Sequence, residues 1–278
     1  MTINSLITPT PTIAFTTPEN NYASRLSLLL THHHFTPLSC PTVIVGPTSA
    51  TTSTVRHHIF NLHHFSAVAF TSRAGISAFS SDSLPPPLPK DFIFAALGKD
   101  AELLTPEFIS KFTPNFHNIN IIIPSNPTPS ALVDSLGPGL GRKILCPVPL
   151  VVGLHEPPVV PEFLSELGSM GWVAVRADAY ETRWAGPNCA GKLLEVGNLD
   201  GIVFTSTAEV EGLLKSLREF GLGWEDMKKR WPGLVVAAHG PVTASGAERL
   251  GVKVDVVSSN FSSFDGVVQA LDRSWRKS

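Results

Sequence analysis

The sequence predicts an α/β protein of two related lobes, each a parallel sheet flanked by helices. Three observations carry that expectation. Ser66 to Phe79, SAVAFTSRAGISAF, and Asp200 to Leu213, DGIVFTSTAEVEGL, write one phrase twice, 134 residues apart: an apolar strand-like run, Phe-Thr-Ser, then a helix-compatible stretch of small residues. The segments after each copy match in the same order. Strands alternate with helical runs of about 10 to 15 residues, the pattern of βαβ units and a mainly parallel sheet.

Taken along the chain, residues 11–38 (PTIAFTTPENNYASRLSLLLTHHHFTPL) read strand, loop, helix, strand, as do residues 142–175 (RKILCPVPLVVGLHEPPVVPEFLSELGSMGWVAV). The first Phe-Thr-Ser is followed by DFIFAALGKDAELL (Asp91 to Leu104) and the second by GLVVAAHGPVTASGAERL (Gly233 to Leu250), each a buried-strand pattern, then Ala-Ala-x-Gly, then a helix. The last pair is Ile119 to Leu136 and Val252 to Leu271, in which Ser125-Asn126 and Ser259-Asn260 again stand 134 apart. Ser, Thr and Asn before a helical run supply oxygens that cap its first free amides. Prolines 85, 86, 87 and 89 read as a surface loop inside a lobe.

A chain of 278 residues is long for one domain and suits two of about 130 residues each. A composition of 43% hydrophobic and 16% charged residues has enough apolar side chains for two cores and excludes a disordered chain. The 21 basic and 23 acidic residues form no long basic run, which argues against nucleic acid or an anionic membrane as partner. Cys40, Cys146 and Cys189 make neither a disulfide framework nor a zinc motif, so a reducing compartment is expected. No apolar stretch approaches the roughly 20 residues of a membrane span. The N-terminus, MTINSLITPTPTIAFTTPENN, lacks a signal-peptide core, so the expected location is the cytoplasm.

In open parallel sheets ligands lie beyond the carboxyl ends of the strands. The repeated Phe-Thr-Ser and Ala-Ala-x-Gly turns would gather at such ends, and with the lobes facing each other both sets would line one cleft holding a small molecule.

Three stretches resemble uroporphyrinogen-III synthase, the cyclase that closes the tetrapyrrole ring of haem. VVAAHGPVTASGAERLGVKVDVV is similar to that family's Gly-Pro-x-Thr-Ala segment followed by helix, Gly and strand. VFTS matches in the second copy of the phrase, with AFTS in the first, and WVAVRADAYETR resembles the strand ending in a tyrosine followed by x-Thr. The resemblance runs over nearly the whole chain. It implies two lobes joined by a two-stranded linker near Pro37 to Val45 and Val173 to Thr182, with one lobe of residues 1–38 plus 185–278 and the other of 40–183. It also implies no metal or cofactor, a monomer, and a flexible linear tetrapyrrole with eight carboxylates, hydroxymethylbilane. That substrate loses a hydroxyl to give an azafulvene and closes through a spiro intermediate that inverts one ring.

Carried onto this sequence, the resemblance makes Tyr180 the residue that helps the hydroxyl leave; its plainer reading is an amphipathic linker residue. Thr243, with Gly240 and Pro241, corresponds to Gly-Pro-x-Thr-Ala and is expected to line the cleft, although a threonine there also suits a helix cap. Thr71, Ser72, Thr205 and Ser206 are expected at substrate from the repeated turns, Gly98 from the first Ala-Ala-x-Gly, and His239 from its place beside Gly240. The histidine runs 32–34, 57–58 and 63–64 read as solvated helix ends, without carboxylate partners at metal spacing. AGPNCAGKLLEVGN is no phosphate loop and is expected to be a loop between strand and helix.

The chain departs from the family pattern in three places. Gly98-Lys99-Asp100-Ala101 is one residue short of Gly-x-x-Thr-Ala and puts Asp100 in place of the hydroxyl, Thr16-Thr17-Pro18 stands where a basic residue is common, and LCPVPLVVGLHEPPVVPEFL lacks the Gly-x-x-Arg pattern. All three weaken carboxylate binding. They favour an alternative: a cofactor-free cyclase or isomerase of specialised metabolism, acting on an isoprenoid- or polyketide-like molecule through a cation-like intermediate.

Overall fold

A computed structural model describes residues 10–79, 86–114, 118–260 and 263–275. Residues 1–9 and Pro85 of the expected proline loop lie outside them. The chain divides into two compact units, Met1–Ile44 with Trp184–Ser278 (unit 1) and Val45–Arg183 (unit 2).

Unit 1 begins with β1 (Thr12–Phe15), α1 (Asn21–His32) and β2 (Thr36–Ser39), and β3 (Val43–Gly46) leads out of it. Unit 2 holds α2 (Ser49–Phe60), β4 (Ala67–Phe70), α3 (Arg73–Ala78), β5 (Phe92–Ala96), α4 (Pro106–Ser110), β6 (Ile119–Ile122), α5 (Pro129–Leu136), β7 (Lys143–Val152), α6 (Val159–Ser169) and β8 (Val173–Trp184). Unit 1 resumes with α7 (Gly191–Glu195), β9 (Gly201–Phe204), α8 (Thr207–Glu219), α9 (Trp224–Arg230), β10 (Val235–Ala238), α10 (Pro241–Arg249), β11 (Val256–Val257) and α11 (Phe264–Trp275).

The sheet of unit 1 runs β11-β10-β9-β1-β2 and that of unit 2 runs β3-β8-β7-β4-β5-β6. With β7 read as the counterpart of β1, both sheets have the same order; unit 2 simply receives its β-α-β segment β7-α6-β8 last and adds β3 at the edge. Pairing is parallel through β11-β10-β9-β1-β2 and through β8-β7-β4-β5-β6, with Ile13 opposite Gly201 in unit 1 and Ile144 opposite Ala67 in unit 2. The central strands are short apolar runs such as AVAF and GIVF, buried at every position, as expected where helices cover both faces.

Alternation divides each strand between two cores. In unit 2, Val68, Phe70, Phe92 and Phe94 face a layer with Phe79, Phe108 and Phe112, while Ala67, Ala69, Ile93 and Ala95 face α5 and α6. Phe70 and Phe79 meet edge to face at 5.4 Å, and Phe79 stacks on Phe112 at 5.4 Å. Burying each such ring contributes about 1.5–3 kcal/mol. In unit 1, Ala14, Ile202 and Phe204 face α8, whereas Ile13, Phe15 and Val203 face α1 and α11.

The helices start where short polar side chains stand. Asn20 accepts the Tyr22 and Ala23 amides, Thr48 closes a capping box with Thr51, and Ser72, Thr105, Thr128 and Ser206 each cap the helix that follows. Before α5 the cap is Thr128, after Ser125-Asn126, because Pro129 takes the first helical position.

Three expectations change. The stretch expected as one linker strand is two elements: β2 pairs in register with β1 inside the sheet of unit 1, and only β3 leads out. The segment after Gly98 forms a 3₁₀ turn, Gly98–Leu103, because Gly98 is left-handed (φ 45°) and the α-helix starts later, at Pro106. AGPNCAGKLLEVGN is a 3₁₀ turn and α7, pinned by Ala190 N–H donating to Ser216 Oγ at 3.0 Å.

α8 packs closely on the chain that leaves unit 1. A Cβ at Gly212 would lie 2.6 Å from the Thr42 carbonyl oxygen, a backbone atom that the Ala185 amide also holds at 3.0 Å. Alanine in a helix ordinarily stabilises by about 1 kcal/mol over glycine, but Gly212→Ala should reverse that sign. We expect a loss of about 1–3 kcal/mol in chemical denaturation; a gain would show that this approach is loose.

Candidate functional site

In each sheet the direction of crossover reverses at one pair of strands, β1/β9 in unit 1 and β7/β4 in unit 2. Those are the switch points at which doubly wound sheets take ligands. The repeated phrase ends β4 and β9, so both Phe-Thr-Ser turns stand at switch points.

In unit 2 the structure brings together Ser72 and Tyr180, whose hydroxyl oxygens are 2.8 Å apart. Ser72 Oγ also accepts the Gly75 amide at 3.1 Å as the cap of α3. Tyr180 lies on β8 just past a bulge, where the register moves from Val148–Asp178 to Pro149–Tyr180. It is 6% exposed, so it is no surface linker residue. Burial pushes its phenol upward, the Ser72 bond opposes this, and the charge of Asp100 adds to it. Asp100 accepts the backbone amide of Arg73 at the start of α3; burial raises its carboxyl, and the Arg73 guanidinium opposes that shift. Thr71 is half-buried at the end of β4, and Gly98 packs towards Pro127. A pocket of about 270 Å³ lies among α3, α4 and the 3₁₀ turn; its lining includes Ile76, Phe79 and Phe108 but neither Ser72 nor Tyr180.

In unit 1 the structure brings together Thr205, Ser206 and Thr243. Thr243 is 7% exposed and its hydroxyl donates to the Thr205 carbonyl at 3.1 Å. It therefore joins α10 to the turn, and the cap position belongs to Gly240, with Pro241 next. Among the described residues no side chain caps α10. His239 lies edge-on to Phe264 at 5.0 Å, and its amide donates to Phe204 O at 2.9 Å.

The sequence reading missed Glu209. Its carboxylate, 1% exposed, accepts the Thr205 amide at 2.9 Å, the Thr16 hydroxyl at 2.8 Å, and the Thr205 hydroxyl. Its amide donates to Ser206 Oγ at 3.4 Å. Ser206-Thr207-Ala208-Glu209 is a Ser-x-x-Glu capping pattern, the signal that could have found it. Thr17, beside Thr16, is 3% exposed and its hydroxyl has no hydrogen-bond partner among the described residues.

The histidine runs lie at or near helix ends. His33 caps α1 and comes within 3.5 Å of Asp272 on α11, a carboxylate neighbour that sequence spacing did not show. Among the described residues no three His, Cys, Asp or Glu are grouped to share a metal ion, and no helix is long and apolar enough to cross a membrane.

Two doubly wound units with hydroxyl-rich turns at their switch points define an α/β protein built from two related parallel sheets. The sequence profile of uroporphyrinogen-III synthase HemD matches residues 24–267, and the chain belongs to that family of lyases and cyclases in porphyrin biosynthesis. Among solved structures, a mutant uroporphyrinogen III synthase from the extremely thermophilic bacterium Thermus thermophilus is 17% identical, with 96% of this chain and all of that chain covered and a TM-score of 0.59. The wild-type enzyme of that bacterium in another crystal form, also 17% identical, covers 96% of this chain and 98% of its own at a TM-score of 0.45. Comparison with curated proteins gives no match.

Glu209 yields a pH prediction. Burial raises its carboxyl above the ordinary 4.5, against the bonds from Thr205, Thr16 and Ser206. A carboxyl raised on folding contributes stability that is complete below its unfolded value and is lost as pH rises through its folded value. The unfolding free energy of the protein minus that of Glu209→Gln should therefore fall as pH climbs from about 4 towards neutrality. A difference that is flat or rises over that range would contradict the assignment.

Proposed function

We propose that the protein closes a linear tetrapyrrole, hydroxymethylbilane, with loss of its hydroxyl and inversion of one ring, and that it does so without a cofactor. The Ser72–Tyr180 pair carries the reading. Gly75 N–H donates to Ser72 Oγ; when Ser72 donates in turn to the Tyr180 oxygen, the phenolic proton is free to point at a leaving hydroxyl. A phenol raised by burial keeps that proton at neutral pH. The pyrrole nitrogen's electron pair then expels the hydroxyl as water, the azafulvene carbon is attacked from the far ring, and a proton is lost on closing.

Thr71, Ser72 and Gly98 in one unit, and Thr205, Ser206, His239, Gly240, Pro241 and Thr243 in the other, are the groups assigned to substrate. The first amides of α10 have no side-chain cap among the described residues, which leaves them for a carboxylate. Three free, scattered cysteines suit a reducing cytoplasm, and the reading requires no second copy of the chain.

One observation favours the second reading, a cyclase of a less charged isoprenoid- or polyketide-like substrate. Arg176 on β8 is held by Asp178 at 2.8 Å, Glu156 at 2.6 Å and the Pro149 carbonyl at 2.9 Å. Arg183 lies 3.5 Å from Glu181, and Arg73 faces Asp100. In unit 1, residues 16–20, 205–209 and 239–243 contain no Lys or Arg, and Val242 is 70% exposed. Cations already paired within the chain have less to offer eight carboxylates.

Incubation with enzymatically generated hydroxymethylbilane decides, since that compound closes spontaneously to the unflipped isomer I. Isomer III above this background is expected; its absence would transfer the case to the less charged substrate. In the same assay Tyr180→Phe should lower turnover by roughly a hundredfold or more, with KM within about twofold. Unchanged turnover would remove Tyr180 from the mechanism.

A further inference from the structure

We infer that Glu209 is a positioning residue: its buried carboxylate fixes the Phe-Thr-Ser turn of unit 1 and, through Thr205, the first turn of α10. The inference rests on the proposal that these turns meet the substrate, and it adds a residue that neither the repeat nor the resemblance singles out.

A carboxylate taken out of water is costly unless it is well bonded, and an apolar side chain would fill the same space without that cost. What an apolar residue lacks is two oxygens that only accept. The Thr205 amide, the Thr205 hydroxyl and the Thr16 hydroxyl all point at those oxygens. The orientation of the Thr205 side chain at the end of β9 is thereby dictated from one side. From the other, Thr243 donates to the Thr205 carbonyl at 3.1 Å. Thr205 is clamped between the two, and α10 is drawn to the turn by the same residue.

The backbone of Glu209 extends the clamp. Its carbonyl accepts the Thr42 hydroxyl at 2.7 Å, and the Thr42 amide donates to Thr16 O at 3.2 Å. One side chain and its peptide unit thus tie the ends of β1 and β9 to the strand that leads out of unit 1. The carboxylate is too buried to touch substrate itself, so its effect on the reaction must pass through Thr205 and Thr243.

Glu209→Gln keeps the size of the side chain and turns one acceptor into a donor. The amide then faces a hydroxyl that was donating, and the Thr205 proton must swing away. The test combines amide and threonine-methyl NMR spectra with ring-closure kinetics on hydroxymethylbilane, for the full chain, Glu209→Gln, Thr243→Val and the double variant. With far-UV circular dichroism unchanged, Glu209→Gln should shift the Thr205 amide and the Thr243 methyl resonances. Turnover should fall roughly ten- to a hundredfold with KM changed less than about threefold. The double variant should lose about what the worse single variant loses, because both act on one residue.

Losses that multiply, or a Thr243 resonance that stays in place, would overturn the inference. If Glu209→Gln does not fold, Thr16→Val, which removes one of the three donors, should shift the same resonances by less; no shift there would likewise overturn it. Should the unmodified protein form no isomer III, the proposed function fails, while the coupling of Thr205 to Thr243 in the spectra still decides the role of Glu209.

Discussion

Parallel strands constrain everything else in this protein, because each must be re-entered from the same end, and the chain has to cross the sheet between them. In both units the crossings run outward from one central pair, β1/β9 or β7/β4. At that pair the loops part in opposite directions, and the amides of Thr42 and His239 reach back to the strand-end carbonyls of Thr16 and Phe204. Short hydroxyl side chains complete the turns: Ser72 and Ser206 cap the next helix, and Thr16, Thr205 and Thr243 bond across neighbouring elements. The polar character of the candidate site is thus a consequence of the topology before it is a feature of any reaction.

The same topology explains why those turns are rigid enough to serve. Strands buried on both faces must be apolar throughout, and their two faces need different volumes. Unit 2 meets this with phenylalanines towards α3 and α4 and alanines towards α5 and α6. A turn that follows Phe70 or Phe204, both fully buried, is anchored one residue before its first polar atom. Side chains held in this way can be kept near one geometry.

The sequence reveals the architecture through its repetition: the offset of 134 residues aligns β4 with β9, and AAxG aligns β5 with β10. Strand and helix types follow from burial on two faces and from visible capping residues. Less legible was anything decided by a partner far along the chain. Tyr180 reads as a strand-end residue until the bulge beside Pro149 brings its hydroxyl to Ser72, 108 positions away. Glu209 looks like one more helix-surface acid; the Thr16 hydroxyl, 193 positions earlier, joins Thr205 in making it an internal hydrogen-bond acceptor. The 3₁₀ turn after Gly98 was hidden for a different reason, since the α-helical and 3₁₀ readings of Gly-Lys-Asp-Ala differ by one hydrogen-bond step, and Gly98 settles it with a left-handed φ.

The two copies of the phrase differ most where they would be expected to agree. Three residues past each serine stand Gly75 and Glu209, the same position in the first helical turn. Their neighbours differ in step. Ile144 sits opposite Ala67 as Ile13 sits opposite Gly201, so three residues further on Pro147 occupies the place of Thr16. In unit 2 the Pro147 carbonyl would lie 3.0 Å from a Cβ at Gly75, a tight fit for any side chain, and a proline offers no hydroxyl to bind one. In unit 1 a threonine hydroxyl meets a carboxylate instead. By the same count, continued past the bulge, Thr42 stands where Tyr180 does, and each donor or acceptor reaches the serine turn of its own unit: Thr42 through the Glu209 carbonyl, Tyr180 through Ser72 directly. An internal carboxylate thus closes one turn, whereas the other is left with a tyrosine hydroxyl.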